Sequence, residues 1–370
     1  MVRGPRLLNI WLRAARPWMV VSLVAAIYGG LVLATHDWDP LAFARVGTRF
    51  SEQDPSGTEG YDGQFAYQIA LNPAGAAPFL DVPAYRYQRI LYPLLARILA
   101  LGQPAWIPWT LILANGVALV AGTWILERLL VHFGAGRWYA LGLGFYSGQL
   151  LSFRLDLNEP LATLWVLLAL WRLEKRKWAQ VGLFFALAGL TKESSAIFLA
   201  AVLIWLLWRR AFREAGMVGS IGGIPLVLYQ AVLALWLGSP GIGSGGAGAT
   251  AFARVPFGGL WAIFPYGAEV FALFLLIMIP WVVLPTLACL AIGSLDLARG
   301  EGHYLPWLLL ANALVTMFLP FSTFREPLAM ARLTVGLVLT VILYGAWKGS
   351  RRTLNYSLFW LASLALLFKE

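Results

Sequence analysis

The sequence has few of the residues that build metal centres, disulfides and soluble surfaces. It contains one cysteine, Cys289, within an apolar segment, and three histidines that are far apart along the chain. A single thiol excludes a disulfide within the chain, and no His-Glu-x-x-His or comparable spacing indicates a metal site. Asp, Glu, Lys and Arg make up only 12% of the residues, against roughly 25% in soluble domains. The sequence therefore lacks the charge of a soluble globular protein.

Apolar residues dominate instead. Of the 370 residues, 60% are hydrophobic, and the mean hydropathy is +0.71. This composition predicts a polytopic membrane protein with the lipid bilayer as its main partner. The 18 tryptophans and 13 tyrosines fit that class, because their rings prefer the headgroup region. The net charge of +10 does not indicate nucleic-acid binding, since the Lys and Arg residues cluster at the ends of apolar segments, where they set topology.

The basic residues predict how the chain crosses the membrane. Arg3, Arg6, Arg13 and Arg16 precede the first apolar segment, Pro17 to Ala34, which predicts an uncleaved signal anchor and a cytoplasmic N-terminus. Further apolar segments cover approximately residues 107–127, 138–153, 157–171, 178–190, 194–208, 217–237, 269–292, 305–319, 330–347 and 354–368. If each crosses, the later basic connections all lie on the side of the N-terminus, as the positive-inside rule requires. The expected fold is an all-α transmembrane bundle with about 11 crossings.

Two long connections are expected on the outer, extracytoplasmic face of a single domain over residues 1–370. The first is residues 35–105, and the second is the glycine-rich stretch 238–268. The glycines of the second lack the strand–turn–helix context of a dinucleotide fingerprint, so we expect a mobile lid over the cavity or a disordered connection.

One apolar segment of the first connection, Tyr85 to Leu101, would break the alternation of charge if it crossed. We therefore expect it to dip into the outer leaflet without crossing. Its basic stripe on one helical face is typical of an interfacial helix. The stripe consists of Arg86, Arg89 and Arg97, with Pro93 on the same face. The alternative is that these arginines only anchor the segment by snorkelling.

Asp62 is the main candidate for a catalytic group. It lies near the start of a predicted short helix, Tyr61 to Leu71, in which Tyr61, Phe65 and Ile69 recur at helical spacing and are expected to lie against the membrane surface. The positive end of that helix would favour the ionised, proton-accepting form of Asp62. A general base must be ionised and within hydrogen-bond reach of the proton that it takes. The alternative is a solvated loop aspartate.

Cations on the predicted outer face form a second set of candidates. Arginine offers a planar fork to phosphate oxygens and lysine a compact point charge. The predicted donor-phosphate ligands are Arg86, Arg89, Lys192, Arg325 and Arg332. Arg325 and Arg332, seven residues apart, are expected on the same side of one helix. A lysine at position 192 runs against the topogenic bias, which favours a functional role.

Other polar residues share the predicted outer face and are candidate substrate contacts. They are Tyr61, Gln64, Tyr85, Gln88, Asp156, Asn158, Glu159 and Glu193. Asn158 or Glu159 before Pro160, and Glu326 before Pro327, fit equally well as helix starts with proline at the first helical position. Likewise, the residues at 192 and 193 could simply end one span and begin the next.

A carboxylate loop, several cations and a large apolar body together suit an enzyme that moves a sugar from a lipid phosphate to an acceptor. The phosphate is already a good leaving group, so a divalent metal is possible but not required. A displacement with one carboxylate as base and no enzyme nucleophile would invert the anomeric centre.

The run Tyr61-Asp-Gly-Gln-Phe-Ala-Tyr-Gln-Ile-Ala70, with Tyr85-Arg-Tyr-Gln-Arg-Ile-Leu-Tyr-Pro93 after it, resembles bacterial multi-pass proteins assigned to cell-surface glycopolymer formation. More distantly it is similar to the GT-C superfamily, which includes the mannosyltransferases of GPI-anchor synthesis. The resemblance covers mainly residues 58–95, with weaker likeness at residues 155–160 and 189–194. It implies a GT-C fold: a first transmembrane helix, an outer loop with membrane-parallel helices, and a helical bundle that holds a polyprenyl-phosphate sugar.

The resemblance also implies that an aspartate of the first outer loop is the catalytic base, which carries over to Asp62. Some GT-C enzymes place the acidic residue directly after the first span, where this chain has Asp37 and Asp39, so these two stay open as alternatives. A large C-terminal domain of the oligosaccharyltransferase kind is not evident, which favours a glycan or lipid acceptor. We therefore predict a glycosyltransferase of the inner (plasma) membrane, with a lipid-linked glycan transporter or a non-catalytic assembly subunit as alternatives.

Overall fold

A computed structural model describes residues 15–369, so Arg3, Arg6 and Arg13 lie outside the described residues. Within that range the chain is helical and contains no β-strand. This agrees with the expected all-α class. In lipid, a helix satisfies the backbone N–H and C=O groups within one segment, whereas an open strand does not.

The first half of the described chain contains ten α-helices. They are α1 (Pro17–Ala34), α2 (Leu41–Ala44), α3 (Thr48–Ser51), α4 (Gly63–Leu71), α5 (Pro83–Tyr87), α6 (Leu91–Leu99), α7 (Ile107–His132), α8 (Leu141–Gly144), α9 (Ser147–Arg154) and α10 (Glu159–Glu174). Short 3₁₀ turns at Ala77–Phe79, Pro104–Trp106 and Arg137–Ala140 join some of them.

The second half contains the remaining helices. They are α11 (Trp178–Thr191), α12 (Ala196–Trp208), α13 (Phe212–Leu237), α14 (Gly258–Trp261), α15 (Ala268–Met278), α16 (Leu284–Ala298), α17 (Leu305–Met317), α18 (Phe321–Phe324), α19 (Pro327–Leu333), α20 (Val335–Trp347) and α21 (Arg351–Phe359). A π-helical turn, Ile279–Val283, joins α15 to α16, and 3₁₀ turns lie at Glu193–Ser195, Phe264–Tyr266 and Trp360–Lys369.

Four helices of the described chain are long and apolar enough to cross a membrane. They are α1, α7 with its preceding turn, α13, and the continuous α15–α16 unit. The pair α19–α20, bent by 48°, would make a fifth. The protein is therefore a helical membrane protein, whereas the expectation of about 11 crossings stays a prediction. Several predicted segments are shorter helices: residues 138–153, for example, are divided among a 3₁₀ turn, α8 and α9.

The prolines start helices as the sequence predicts. Helix α10 begins at Glu159 with Asn158 as its N-cap residue, and α19 begins at Pro327 with Glu326 in the same role. In both helices a proline occupies the first turn, where its missing N–H removes no helical hydrogen bond.

The connections between helices gather at two ends of the bundle. At one end, Glu174 of α10 contacts His132 of α7 at 3.0 Å, and Lys348 after α20 pairs with Glu301 at 2.7 Å. Residues from three connections line a cavity at this end, among them Arg176, Arg209 and His303. We call this the basic end. The N-terminal end of α10 lies on the opposite side, about 22 Å away along 16 residues.

Small residues bring α11 close to α13. A Cβ atom at Gly222 would lie 3.1 Å from the carbonyl oxygen of Gly182, and one at Gly189 would lie 2.6 Å from the side chain of Leu226. Helix association within a membrane depends on such close packing, because lipid tails are as apolar as the side chains. The contact holds the C-terminal end of α11 against the bundle. Lys192 is the next residue after that end.

The first long connection is packed into the protein. Phe65 and Ile69 are buried against Tyr87 and Leu233, so the expectation that α4 lies on the membrane surface is wrong. The segment predicted to dip without crossing forms α5 and α6, and α6 is only about 14 Å long over nine residues. Such a helix is too short for a bilayer core of about 30 Å.

Candidate functional site

Asp62 lies where four segments meet: the start of α4, α5, the connection before α10, and α19. It is the N-cap residue of α4, but its side chain does not cap the helix. Instead, its Oδ1 atom accepts from Nη2 of Arg86 at 2.9 Å and its Oδ2 atom from Nη2 of Arg332 at 3.1 Å. The side chain is 33% exposed. Ion pairs, rather than the helix terminus that the sequence suggested, therefore hold this carboxylate.

These partners decide the protonation of Asp62. Burial by itself would raise the pKa of Asp62, but the guanidinium groups of Arg86, Arg332 and Arg89 outweigh it and hold the pKa well below its usual range. Beside it, burial raises the pKa of Tyr61 to about 12. The Tyr61 hydroxyl, which donates to Glu326 at 3.3 Å, therefore keeps its proton.

Arg332 connects Asp62 to a second, deeper carboxylate. Its Nε atom donates to Oε1 of Glu159 at 2.8 Å, and the same oxygen accepts from Nζ of Lys192 at 2.6 Å. The Glu159 side chain is 2% exposed. Both cations contact Oε1, whereas Oε2 has no hydrogen-bond partner among the described residues. The two adjacent positive charges favour the ionised form of this buried carboxylate.

Arg89 pairs with Glu193 through two hydrogen bonds. Its Nε atom donates to Oε2 at 2.7 Å and its Nη2 atom to Oε1 at 2.5 Å. The guanidinium also donates to the Tyr85 hydroxyl and lies 4.2 Å from the centroid of the Tyr85 ring. Burial raises the pKa of Tyr85, so the phenol stays neutral.

Asp81, which the sequence did not suggest, completes the network. Its two oxygens accept from Nε and Nη2 of Arg86 at 2.7 and 2.8 Å. Burial opposes ionisation, but the Arg86 hydrogen bond and charge lower the pKa of Asp81. Its only sequence signal is its position five residues before Arg86. The ion-pair cluster therefore comprises Asp62, Asp81, Arg86, Arg89, Glu159, Lys192, Glu193 and Arg332.

The predicted interfacial stripe is therefore an interior one. Arg86 and Arg89 are buried in the cluster, and Arg97 donates to the carbonyl oxygens of Ala70 and Leu71 at 2.8 and 2.7 Å. The arginines stabilise carboxylates and the end of α4, so the expectation that their side chains form an exposed basic stripe is wrong. The expectation that the segment is an interfacial helix stays a prediction.

The glycine-rich connection lies over this cluster. The backbone N–H of Ala247 donates to Asp81 at 2.8 Å, and a Cβ atom at Gly246 would lie 2.7 Å from Nη2 of Arg86. At the start of the connection, the Gln230 side chain of α13 accepts from the N–H of Gly241 at 2.8 Å. These contacts describe an ordered cover, so the expectation of a disordered connection is wrong.

Three predicted substrate contacts are occupied by structural hydrogen bonds. Gln64 accepts from the N–H of Gly47 at 3.0 Å and donates to the carbonyl of Glu59 at 2.7 Å, which closes the loop between them. The Gln88 amide accepts from Gln230 at 3.4 Å, and the Asn158 amide donates to the carbonyl of Thr191 at 2.8 Å. These side chains hold neighbouring segments together.

Other candidates lie outside the cluster. Arg325 and Arg332 are not on one helix, because α18 ends at Phe324 and α19 begins at Pro327. Arg325 is exposed beside the Phe321 ring. Asp37 and Asp39 are exposed after α1, and the Asp39 carboxylate accepts from the N–H of Leu41 at 2.9 Å. The structure thus brings four of the five predicted phosphate ligands to Asp62.

Asp156 faces the cluster with its carboxyl group unsatisfied. It lies between α9 and α10, is fully buried, and has a left-handed backbone with φ of 50°. Neither oxygen has a hydrogen-bond partner among the described residues. Burial raises the pKa of Asp156 more than the Arg154 guanidinium and the nearby Tyr92 hydroxyl lower it, so the pKa lies well above its usual range. A neutral carboxylic acid therefore lines the site.

Two small cavities lie on either side of the Glu159–Arg332 pair. One, of about 30 Å³, is lined by Asp62, Arg86, Arg89 and Asp156 among others. The other, of about 50 Å³, is lined by Lys192 and apolar residues of α12 and α20, including Phe198. A cavity holds one water molecule in about 10–15 Å³ of such volume, so the first has room for about two water molecules. A larger ligand must therefore displace side chains of the cluster.

The described residues offer no prearranged metal site. Among residues 15–369, no group of three or more His, Cys, Asp and Glu side chains is positioned to hold a metal ion. The carboxylates of the cluster are engaged by arginine and lysine instead.

Fold and site together define a helical, membrane-embedded protein with a network of ion pairs at the end of the bundle opposite the basic end. The chain matches no protein-family model, no curated protein and no solved structure. The GT-C resemblance of residues 58–95 therefore stays a prediction.

Proposed function

We propose that the protein is an integral membrane glycosyltransferase of the GT-C type, acting at the extracytoplasmic face of the plasma membrane with its N-terminus in the cytoplasm. It transfers a sugar from a polyprenyl-phosphate donor to a cell-envelope glycan or lipid acceptor, with inversion. The observation that carries the proposal is the link through Arg332 between the partly exposed carboxylate of Asp62 and the buried Lys192.

The cations keep donors that a phosphate could use. No hydrogen bond among the described residues engages Nη1 of Arg86 or of Arg89. Lys192 donates only to Glu159, which uses one of the three N–H groups of an ammonium. Charge-assisted donors of this kind bind phosphate oxygens strongly.

The small slot beside Lys192 has apolar side chains on α12 and α20 that suit the lipid part of the donor, beside polar residues that include Ser194, Ser195 and Asn312. It is bordered by Phe198 of α12 and Leu339 of α20 and ends at Lys192 and Arg332. A prenyl chain entering between these helices would bring its phosphate to the two cations while the chain stays in contact with apolar side chains. The slot must widen for this, since its volume is about 50 Å³.

Phosphate binding would also activate the base. Arg332 and Arg86 hold the pKa of Asp62 low, which makes the carboxylate a weak base in the resting site. A phosphate that draws Arg332 towards itself would weaken that effect and raise the pKa of Asp62. Basicity would then increase only when the donor is bound, and a base is most effective when its pKa approaches the working pH.

The transfer itself needs a single displacement. The acceptor oxygen forms a bond to the anomeric carbon, the bond from that carbon to the phosphate oxygen breaks, and the acceptor proton passes to Asp62. The bonding electrons leave with the lipid phosphate, whose charge Lys192, Arg332 and Arg89 stabilise. The neutral Asp156 can donate a hydrogen bond to a sugar oxygen in the adjoining cavity, since its pKa is raised.

Asp62→Asn tests the proposal against a matched control, Asp39→Asn, which alters the alternative base outside the cluster. Each variant is expressed in a strain lacking the native gene, and lipid-linked intermediates are measured by mass spectrometry. Loss of a positioned base typically costs about 10²–10⁴ in rate, so intermediates should accumulate with Asp62→Asn and not with Asp39→Asn. Equal monodispersity in detergent checks the folding of both. Normal assembly with Asp62→Asn would reject the assignment.

A transporter of lipid-linked glycans is the second candidate, with a non-catalytic assembly subunit behind it. Transport across the membrane calls for polar groups through its depth, whereas the ion-pair cluster and the basic end lie at opposite ends of α10. The separation favours the transferase. Purified protein that moves a lipid-linked sugar across vesicles without transferring it would support the transporter instead.

A further inference from the structure

A buried carboxylate at the basic end has an oxygen without a partner. Glu127 of α7 is 3% exposed, and its Oε1 atom accepts from Nη1 of Arg16 at 2.7 Å. Its Oε2 atom has no hydrogen-bond partner among the described residues. An unsatisfied buried acceptor destabilises the fold, and more so when it is charged. A donor from outside the chain would remove that destabilisation.

The surroundings of Glu127 form a large cavity. It measures about 580 Å³ and is lined by Arg16, Trp18, Trp124, Arg128 and Trp171, among others. The Arg128 guanidinium lies 4.5 Å from the ring centroid of Trp124. Two cations, the Glu127 side chain and indole rings therefore border one space. None of these residues belongs to the ion-pair cluster.

An apolar groove continues from this cavity between α1 and α7. The groove measures about 530 Å³, shares Trp18 and Trp124 with the polar cavity, and extends to Ile112 and Phe153. The stretch of α7 from Ile112 to Trp124 is about 18 Å long, a length comparable to one leaflet of a bilayer core of about 30 Å. A polar pocket that opens into a groove of this length matches an amphiphile with one long chain in contact with the protein.

We propose that this composite site binds a phospholipid whose headgroup carries both a phosphate and a primary ammonium, such as phosphatidylethanolamine. Arg16 and Arg128 would contact the phosphate, the ammonium would donate to Oε2 of Glu127, and one acyl chain would occupy the groove. A phosphatidylglycerol headgroup has no cation for the carboxylate. A phosphatidylcholine headgroup has a cation but no N–H donor. The site should therefore select phosphatidylethanolamine over both, whatever reaction the protein carries out.

Competitive lipid retention tests this selection. The full-length protein is reconstituted with equal amounts of the three phospholipids, purified in mild detergent, and analysed for bound lipid by native mass spectrometry. Hydrogen bonds to charged groups contribute about 1.5–3 kcal/mol, so retention should favour phosphatidylethanolamine about tenfold or more. Equal retention of the three lipids, or preferred retention of phosphatidylglycerol, would overturn the proposal.

Variants separate headgroup recognition from general lipid binding. Glu127→Gln should remove the preference for phosphatidylethanolamine, whereas Glu301→Gln, a carboxylate at the same end that pairs with Lys348, should retain it. Arg128→Ala should weaken retention of all three lipids without changing their ratio, and it tests the site should Glu127→Gln fail to fold. Unchanged selection in a folded Glu127→Gln protein, or unchanged retention in Arg128→Ala, would contradict the assigned contacts.

Discussion

Replacing Glu159 with glutamine should destabilise the protein far more than replacing any exposed carboxylate. The Oε1 atom of Glu159 accepts from Lys192 at 2.6 Å and from Arg332 at 2.8 Å, and the side chain is almost fully buried. Glutamine keeps the shape but removes the charge. Arg332 would still pair with Asp62, but Lys192 would lose its only hydrogen-bonded carboxylate. Breaking one partner of a buried pair costs about 3–5 kcal/mol, because a charge is left without compensation.

The matched control is Glu301→Gln. Glu301 pairs with Lys348 at 2.7 Å, nearly the same distance, but its side chain is 39% exposed. Lys348 also keeps a second partner, Asp296, at 3.1 Å. Exposed pairs contribute about 0–1 kcal/mol, so this variant should be close to native. The free energy of unfolding of both variants can be measured by denaturant titration in detergent micelles.

A double variant identifies the cause. If the loss comes from the uncompensated charge of Lys192, then Glu159→Gln combined with Lys192→Met should be more stable than Glu159→Gln alone, because the buried cation is removed as well. Equal losses for Glu159→Gln and Glu301→Gln, or no recovery in the double variant, would refute the electrostatic account of the cluster.

Three other outcomes follow from the geometry. Gly246→Ala should loosen the glycine-rich cover and speed its proteolysis, because the new Cβ atom would lie 2.7 Å from a guanidinium nitrogen; Gly302→Ala, with open space around it, should not. The unfolding free energy should fall as the pH drops below about 4, because the fold lowers the pKa of Asp62 and the ionised carboxylate stabilises the fold only above about that pH. The fall should be shallower in Asp62→Asn, and an identical fall would contradict this prediction. An impermeant maleimide should label Glu59→Cys and Glu301→Cys from opposite compartments; the Glu59 side chain is 77% exposed. Labelling of both from one side would exclude the proposed placement of the two ends of the bundle.

The residues that gather around Asp62 were predictable because charge is scarce in this chain. In an apolar sequence, Arg86, Arg89, Lys192 and Arg332 stand out, and the alternation of basic connections assigns them to one side. Their partners could be anticipated for the same reason, as with Glu159 and Glu193. Charged residues are unfavourable in lipid, so their positions in an apolar sequence indicate where the site lies.

Other parts of the site depend on the path of the backbone. Arg325 and Arg332 would share a face only on a continuous helix, and the break before Pro327 separates them. Asp81 joins the cluster because it lies just before α5 and its side chain turns towards Arg86, which no periodicity predicts. Asp156 has no hydrogen-bond partner in the described part of the chain, and no sequence pattern predicts that absence.

Arg332 lies close to the 48° bend between α19 and α20. Thr334, at the bend, donates to the carbonyl of Met330 at 2.7 Å and contacts the Tyr146 hydroxyl at 2.8 Å. Arg332 is two residues from this pivot, whereas Pro327 lies at the far end of an arm about 10 Å long. A swing of about 10° would move Pro327 by about 2 Å and the Arg332 backbone by well under 1 Å. The start of α19 can therefore move while Arg332 stays beside both carboxylates.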